Sequence, residues 1–125
     1  MERTRDAARV NELMARDFPG CDMSELLAEP MHVCLIDGES GAIFAFRGPG
    51  IFEVHVFFAV KGRAAIGLIH AMLDFMRAEH GARSFWALIP VESRKVLMFA
   101  RLVGWKSLGV RETRHGPNEL FSSET

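Results

Sequence analysis

The sequence predicts one α/β (α+β) domain, a mixed and mostly antiparallel sheet with a βαβ unit at its centre. Three observations carry this expectation. Between Met31 and Ala59, short apolar runs alternate with glycine-rich turns, the texture of antiparallel strands. After Lys61 the apolar spacing becomes helical, with a stripe of Ile66, Ile69, Leu73 and Met76, before a strand pattern returns at Arg83–Ile89. A strand, a crossover helix and a second strand form a unit whose two strands run parallel.

Taken in order, the elements begin with a helix. Thr4 is a candidate N-cap, Asp6 lies in the first turn, and Val10, Leu13 and Met14 recur at helical spacing up to Asp17. Phe18-Pro19-Gly20 ends that helix, and Asp22 or Ser24 opens a shorter one through Leu26 and Leu27 that stops before Pro30. Met31–Ile36, the turn Asp37–Gly41 and Ala42–Phe46 read as a hairpin. After Gly48-Pro49-Gly50 a third strand runs from Ile51 to Ala59. Phe52, Val54, Val56 and Phe58 point to one face of it and Glu53, His55 and Phe57 to the other. The long helix after Lys61-Gly62-Arg63 stops at Gly81, a natural left-handed terminator. Beyond Arg83–Ile89 and Pro90, Glu92 or Ser93 caps a helix that reaches Val103 and closes at Gly104. Trp105–Arg111 and Glu119–Ser122 complete the order as two strands around His115-Gly116-Pro117.

Composition narrows the function classes. A chain of 125 residues sustains one core, and 49% hydrophobic residues supply it, which excludes a disordered chain. The formal net charge is −1 and the cations are scattered from Arg3 to Arg114, so no nucleic-acid partner is expected. No apolar run approaches the roughly 20 residues of a membrane span, and Met-Glu-Arg-Thr-Arg-Asp leads into no apolar signal core. A cytoplasmic location without membrane contact is the expectation. Cys21 and Cys34 lack the close spacing of zinc or redox motifs and read as idle thiols, so no metal is expected. His32 and Cys34 share a strand face, but no glycine-rich elbow accompanies them, so they read as packing residues. His70 lies within the long helix and His80 near its end, where a cation suits the helix dipole.

From Arg3 onward this order resembles the GNAT superfamily of acyl-CoA N-acyltransferases. The most specific stretch is Ile51–Trp105, whose last helix closes in Phe99-Ala100-Arg101-Leu102-Val103-Gly104-Trp105. The family's first strand has no counterpart in this reading, because the helix starts at Thr4. That edge is then either missing or supplied by a partner subunit, and a homodimer paired along the exposed strand edge is an expected partner. Within the superfamily the chain is similar to compact phage and prophage proteins that share the Gly-Arg loop and the tyrosine-free Phe-Ala-Arg helix.

The resemblance implies acetyl-CoA in a splay between strand Ile51–Ala59 and strand Arg83–Ile89. It assigns the cofactor to the strand end Phe57, Phe58 and Ala59, to the loop Lys61, Gly62, Arg63, Ala64, Ala65, Ile66 and Gly67, and to Ser93 at the start of the next helix. Small residues in such a loop let backbone N–H groups close on a pyrophosphate at a helix N-terminus. One register puts Lys61 in the family's arginine place, with Ala64 and Ile66 in the small positions. The other puts Gly62 there, with Ala65 and Gly67 following. The tyrosine that protonates the departing thiolate in the family would fall at Ala100, and the chain contains no tyrosine.

Strand alternation by itself puts Glu53 and His55 on one face of the strand leading into this loop, as catalytic candidates. Neutral His55 can accept a proton near pH 7, while Glu53 needs a raised pKa or an intervening water. A solvated polar pair is the plainer alternative. Two functions follow as expectations: N-acetyl transfer from acetyl-CoA to an amine, small or on a protein, or a binding and assembly module that has lost the chemistry.

Overall fold

The computed structural model describes residues 1–124. In chain order the elements are β1 (Glu2–Thr4), α1 (Ala7–Met14), α2 (Ser24–Ala28), β2 (Val33–Asp37), β3 (Ser40–Gly48), β4 (Ile51–Phe57), α3 (Gly62–His80), β5 (Ser84–Pro90), α4 (Arg94–Val103), β6 (Lys106–Thr113) and β7 (Gly116–Glu124). The strands form one seven-stranded sheet in the order β1-β2-β3-β4-β5-β7-β6, antiparallel except for β4 beside β5. This is the mixed sheet with a central βαβ unit that the sequence predicts. Among the described residues, no helix is long and apolar enough to cross a membrane.

The amino terminus departs from the sequence reading. Glu2–Thr4 is a strand, paired antiparallel with β2 from Glu2↔Ile36 to Thr4↔Cys34. The first strand is therefore present, and no partner is needed to supply it. Three polar residues carry no alternation to read. Their strand is fixed by pairing and by Arg3, whose guanidinium donates to the carbonyls of Pro30 and His32. Thr4 accordingly does not cap the helix. Asp6 does, its carboxylate accepting from the Arg9 N–H at 3.1 Å, and the helix ends at Met14 rather than Asp17.

Each sheet face has its own core. Val33, Leu35, Phe44, Phe52, Val54 and Phe85 pack under α3 and α4, which contribute Ile69, Met72, Leu73 and Met76, and Leu97, Ala100 and Val103. On the opposite face Cys34, Ile36, Ile43 and Phe57 meet Val10, Leu13 and Met14 of α1 and Leu27 of α2. The predicted stripe of α3 is thus its buried face, with Ile66 half-buried against the same cluster. Gly81 (φ 62°) and Gly104 (φ 100°) end α3 and α4 in the left-handed conformation, as their positions predict.

Two features shape the centre of the sheet. Parallel pairing of β4 with β5 runs only through Ile51↔Ser84, Phe52↔Phe85 and Glu53↔Trp86. Beyond Glu53 the two strands part, because β5 continues to Pro90 in register with β7. The register of β3 against β4 shifts between Phe46 and Gly48, a bulge that holds Arg47.

Candidate active site

The splay begins where the candidate catalytic residues stand. Glu53 is the last β4 residue in register with β5, and His55 is the next residue on the same face. The Glu53 side chain is 11% exposed and completely partnered. Arg47 Nε and Nη2 both donate to its Oε1, at 3.0 and 2.8 Å. His55 Nε2 lies 2.9 Å from Oε2.

These contacts set the chemistry of the pair. An ionised carboxylate only accepts, so His55 Nε2 carries a hydrogen, and in the neutral imidazole Nδ1 is left as the accepting nitrogen. The hydrogen bond from His55, followed by the charge of His55 and the bonds and charge of Arg47, holds the Glu53 pKa below the usual carboxylate value, although burial opposes this. The requirement that burial raise the Glu53 pKa is therefore not met. Glu53 stays charged and orients His55, whose ring is 47% exposed. Solvent therefore reaches the pair from the imidazole side only, since the carboxylate is almost fully covered.

The cofactor candidates are spread over the strand end and the start of α3. The Phe57 side chain is buried in the α1–α2 core and is not available to a ligand. Phe58 is half-buried, its ring edge-on to Phe99 of α4 at 6.2 Å. The Ala59 N–H donates to the Ser40 hydroxyl at 2.8 Å, which ties the loop to the start of β3.

The helix begins one residue after Lys61, at Gly62, with φ 61° and nothing within 4 Å of a Cβ built there. A left-handed residue followed by helical ones turns successive N–H groups into one concavity. No side chain caps this end of α3. Lys61, Gly62, Arg63, Ala64 and Gly67 are exposed, and Ala65 is buried. Neither the Lys61 nor the Arg63 side chain has an ion pair or hydrogen bond among the described residues. Ile66 is half-buried and packs against the core cluster.

Ser93 is the half-buried N-cap residue of α4, and its side chain makes no cap hydrogen bond. Because β4 and β5 are parallel, α3 and α4 both start at the same open edge of the splay.

The other singled-out groups are structural. His32 Nδ1 accepts from the Phe46 N–H at 2.8 Å, and burial and then Arg47 lower its pKa despite Glu29. Burial pushes the Cys34 thiol up to about 12, so it is no nucleophile. At His80 burial and then the charge of Arg3 lower the pKa despite Glu79, which disfavours the cation that the helix dipole suits. Ala100 is buried toward the sheet.

Sequence reasoning missed three residues here: Arg47, Ser40 and Trp86. Arg47 sits two residues beyond Ala45, the register partner of Glu53, so its signal appears only once the hairpin register is known. Ser40 and Trp86 gave none without the sheet order.

No protein-family model and no curated protein matches the sequence. Solved structures do match the fold. A variant of the spermidine N-acetyltransferase from Vibrio cholerae superposes with TM-score 0.74 at 12% identity, over 98% of this chain and 93% of that one. The aminoglycoside acetyltransferase AAC(6')-Ib, in complex with coenzyme A and kanamycin, gives 0.70 at 14% identity over 95% and 89%. The ribosomal-protein-S5-alanine acetyltransferase from Vibrio fischeri gives 0.60 at 12% identity over 74% and 60%. The splayed parallel pair and the crossover helix thus belong to the GNAT fold, and this chain has that fold.

Proposed function

We propose that the chain transfers the acetyl group of acetyl-CoA to an amine. The observation that carries this reading is that an oriented imidazole stands at the point where β4 and β5 part. The amine acceptors in the neighbours' names, a polyamine, an aminoglycoside and a protein alanine, support the same substrate class.

Acetyl-CoA supplies a thioester carbon to which the amine nitrogen bonds as the C–S bond breaks, the electron pair leaving on a sulfur that takes its proton from water. His55 Nδ1 takes the proton the amine gives up. Glu53 holds the imidazole in the Nδ1-accepting tautomer and stabilises the imidazolium that results, and Arg47 keeps Glu53 ionised. The first N–H groups of α3 close on the pyrophosphate, and Lys61 and Arg63 neutralise it. Phe58 and Ala59 line the edge of β4 along which the acyl chain lies, and Ser93 opens the facing helix. With no tyrosine in the chain and Ala100 buried, no side chain at that place of α4 protonates the thiolate.

Calorimetric titration with acetyl-CoA and with CoA tests the reading. The expected result is saturable binding that weakens roughly tenfold in the Lys61→Ala/Arg63→Ala double variant, a loss of about 1.4 kcal/mol. Absence of binding at millimolar ligand refutes it. A second reading, an assembly module without chemistry, draws on Met98 and Leu102, which are 63% and 64% exposed one turn apart on α4. It predicts a stable protein complex that survives Glu53→Ala and His55→Ala.

A further inference from the structure

The face of the sheet that carries Glu53 and His55 is only half covered. The helices α1 and α2 shield it over β2, β3 and β4, while α3 and α4 lie on the other face. Over β5, β7 and β6 it is open, and a groove of about 510 Å3 runs along it.

Its floor can be assigned residue by residue from the register. Glu53 pairs with Trp86 across the parallel strands, so the two side chains are neighbours on one face. Trp86 pairs in turn with Ser122, and Leu88 with Leu120. Leu108, 47% exposed on β6, forms the outer wall. We propose that this groove takes the acyl acceptor, an amine with an apolar, aromatic-sized body and one positive charge, and delivers its nitrogen to His55. The proposal rests on the N-acetyltransferase reading and adds its substrate class.

Three arguments select this occupant. The volume falls in the range of roughly 300–1,000 Å3 usual for small-molecule sites. The floor of Trp86, Leu88 and Leu120 gains from burying apolar surface, and the tryptophan face attracts a cation. The charge balance excludes a polycation. The groove's ionisable lining residues are Arg111 and Glu112, one of each sign, and the adjacent Glu53 already holds Arg47 and His55. A linear triamine such as spermidine would find one carboxylate for three ammonium groups.

The two tryptophans give a direct readout. Trp86 is half-buried in the groove and Trp105 is buried on the opposite side of the sheet, so the indole N–H resonances of the full chain separate groove binding from global change. Trp86→Phe identifies the Trp86 signal. Titration with 2-phenylethylamine, without acetyl-CoA, is expected to shift the Trp86 signal saturably and leave Trp105 in place. Spermidine at equal concentration should not. Leu108→Lys, at an exposed position that tolerates substitution, should raise the dissociation constant at least threefold and raise the KM for 2-phenylethylamine in the transfer assay by a similar factor, with kcat and acetyl-CoA affinity unchanged.

Saturation by spermidine in preference to 2-phenylethylamine overturns the proposal. So does a Leu108→Lys variant that binds as the wild type does, or a dimer in sedimentation that closes the groove to the amine. Amine binding without acetyl-CoA binding refutes acetyl transfer while supporting the groove. Acetyl-CoA binding without amine binding refutes the groove alone.

Discussion

Replacing Glu53 with glutamine tests the site without altering its shape. Three donors converge on the carboxylate: two guanidinium nitrogens on one oxygen and the imidazole on the other. Glutamine keeps one accepting oxygen and turns an NH2 group toward the remaining donor, so one contact is lost and one donor faces another. A hydrogen bond to a charged group contributes about 1.5–3 kcal/mol. Arg47 and His55 are 43% and 47% exposed, and water partly replaces the lost partner, which reduces the expected cost to about 1–2 kcal/mol. For a chain of this length that lowers Tm by roughly 3–8 °C.

The pH dependence makes this prediction specific. The folded pKa of Glu53 is depressed, so the native state favours the ionised form. Its stabilisation is fully present above the ordinary value of 4.5 and is lost as pH falls through the lower folded value. Urea denaturation of wild type and Glu53→Gln should therefore differ most at pH 7 and 5 and converge as pH falls below 4.5 through the folded value. An undiminished difference at the lowest pH would refute the charge argument, and no difference at pH 7 would refute the geometry.

Two further substitutions address the surroundings of the site. A Cβ on Gly41 would collide with the Phe57 ring and come within 3.0 Å of the Leu35 carbonyl oxygen. Phe57 is buried and cannot swing aside, so Gly41→Ala should cost about 1–3 kcal/mol in chemical denaturation, with partial recovery on adding Phe57→Leu. His32 must be neutral to accept from Phe46, and its folded pKa is lowered, so its contribution is present above about 6.5 and declines as pH falls through the folded value. His32→Asn keeps an acceptor without titrating, and should flatten part of the stability loss between pH 7 and 5, the remainder belonging to His80. An unchanged profile would show that His32 does not contribute.

The sequence by itself determined the order of elements from the first helix to the last strand, because each had a local cause. The stripe of α3 and the glycines at its C-terminus and at that of α4 act within a few residues of themselves. Strand alternation likewise fixed which residues of β4 share a face, and so paired Glu53 with His55. Only the tertiary structure decided the rest. The strand at Glu2–Thr4 exists because β2 offers it an edge, not because its residues prefer one. Arg47, six residues from Glu53 along the chain, reaches it only once the hairpin and its bulge have formed. Trp86 becomes a neighbour of Glu53 only when the crossover helix brings β5 alongside β4. Propensity and periodicity are properties of neighbours in sequence, whereas a site is made of neighbours in space. The pKa values of Glu53 and His32 belong to the second kind, since burial and partner charges arise only on folding.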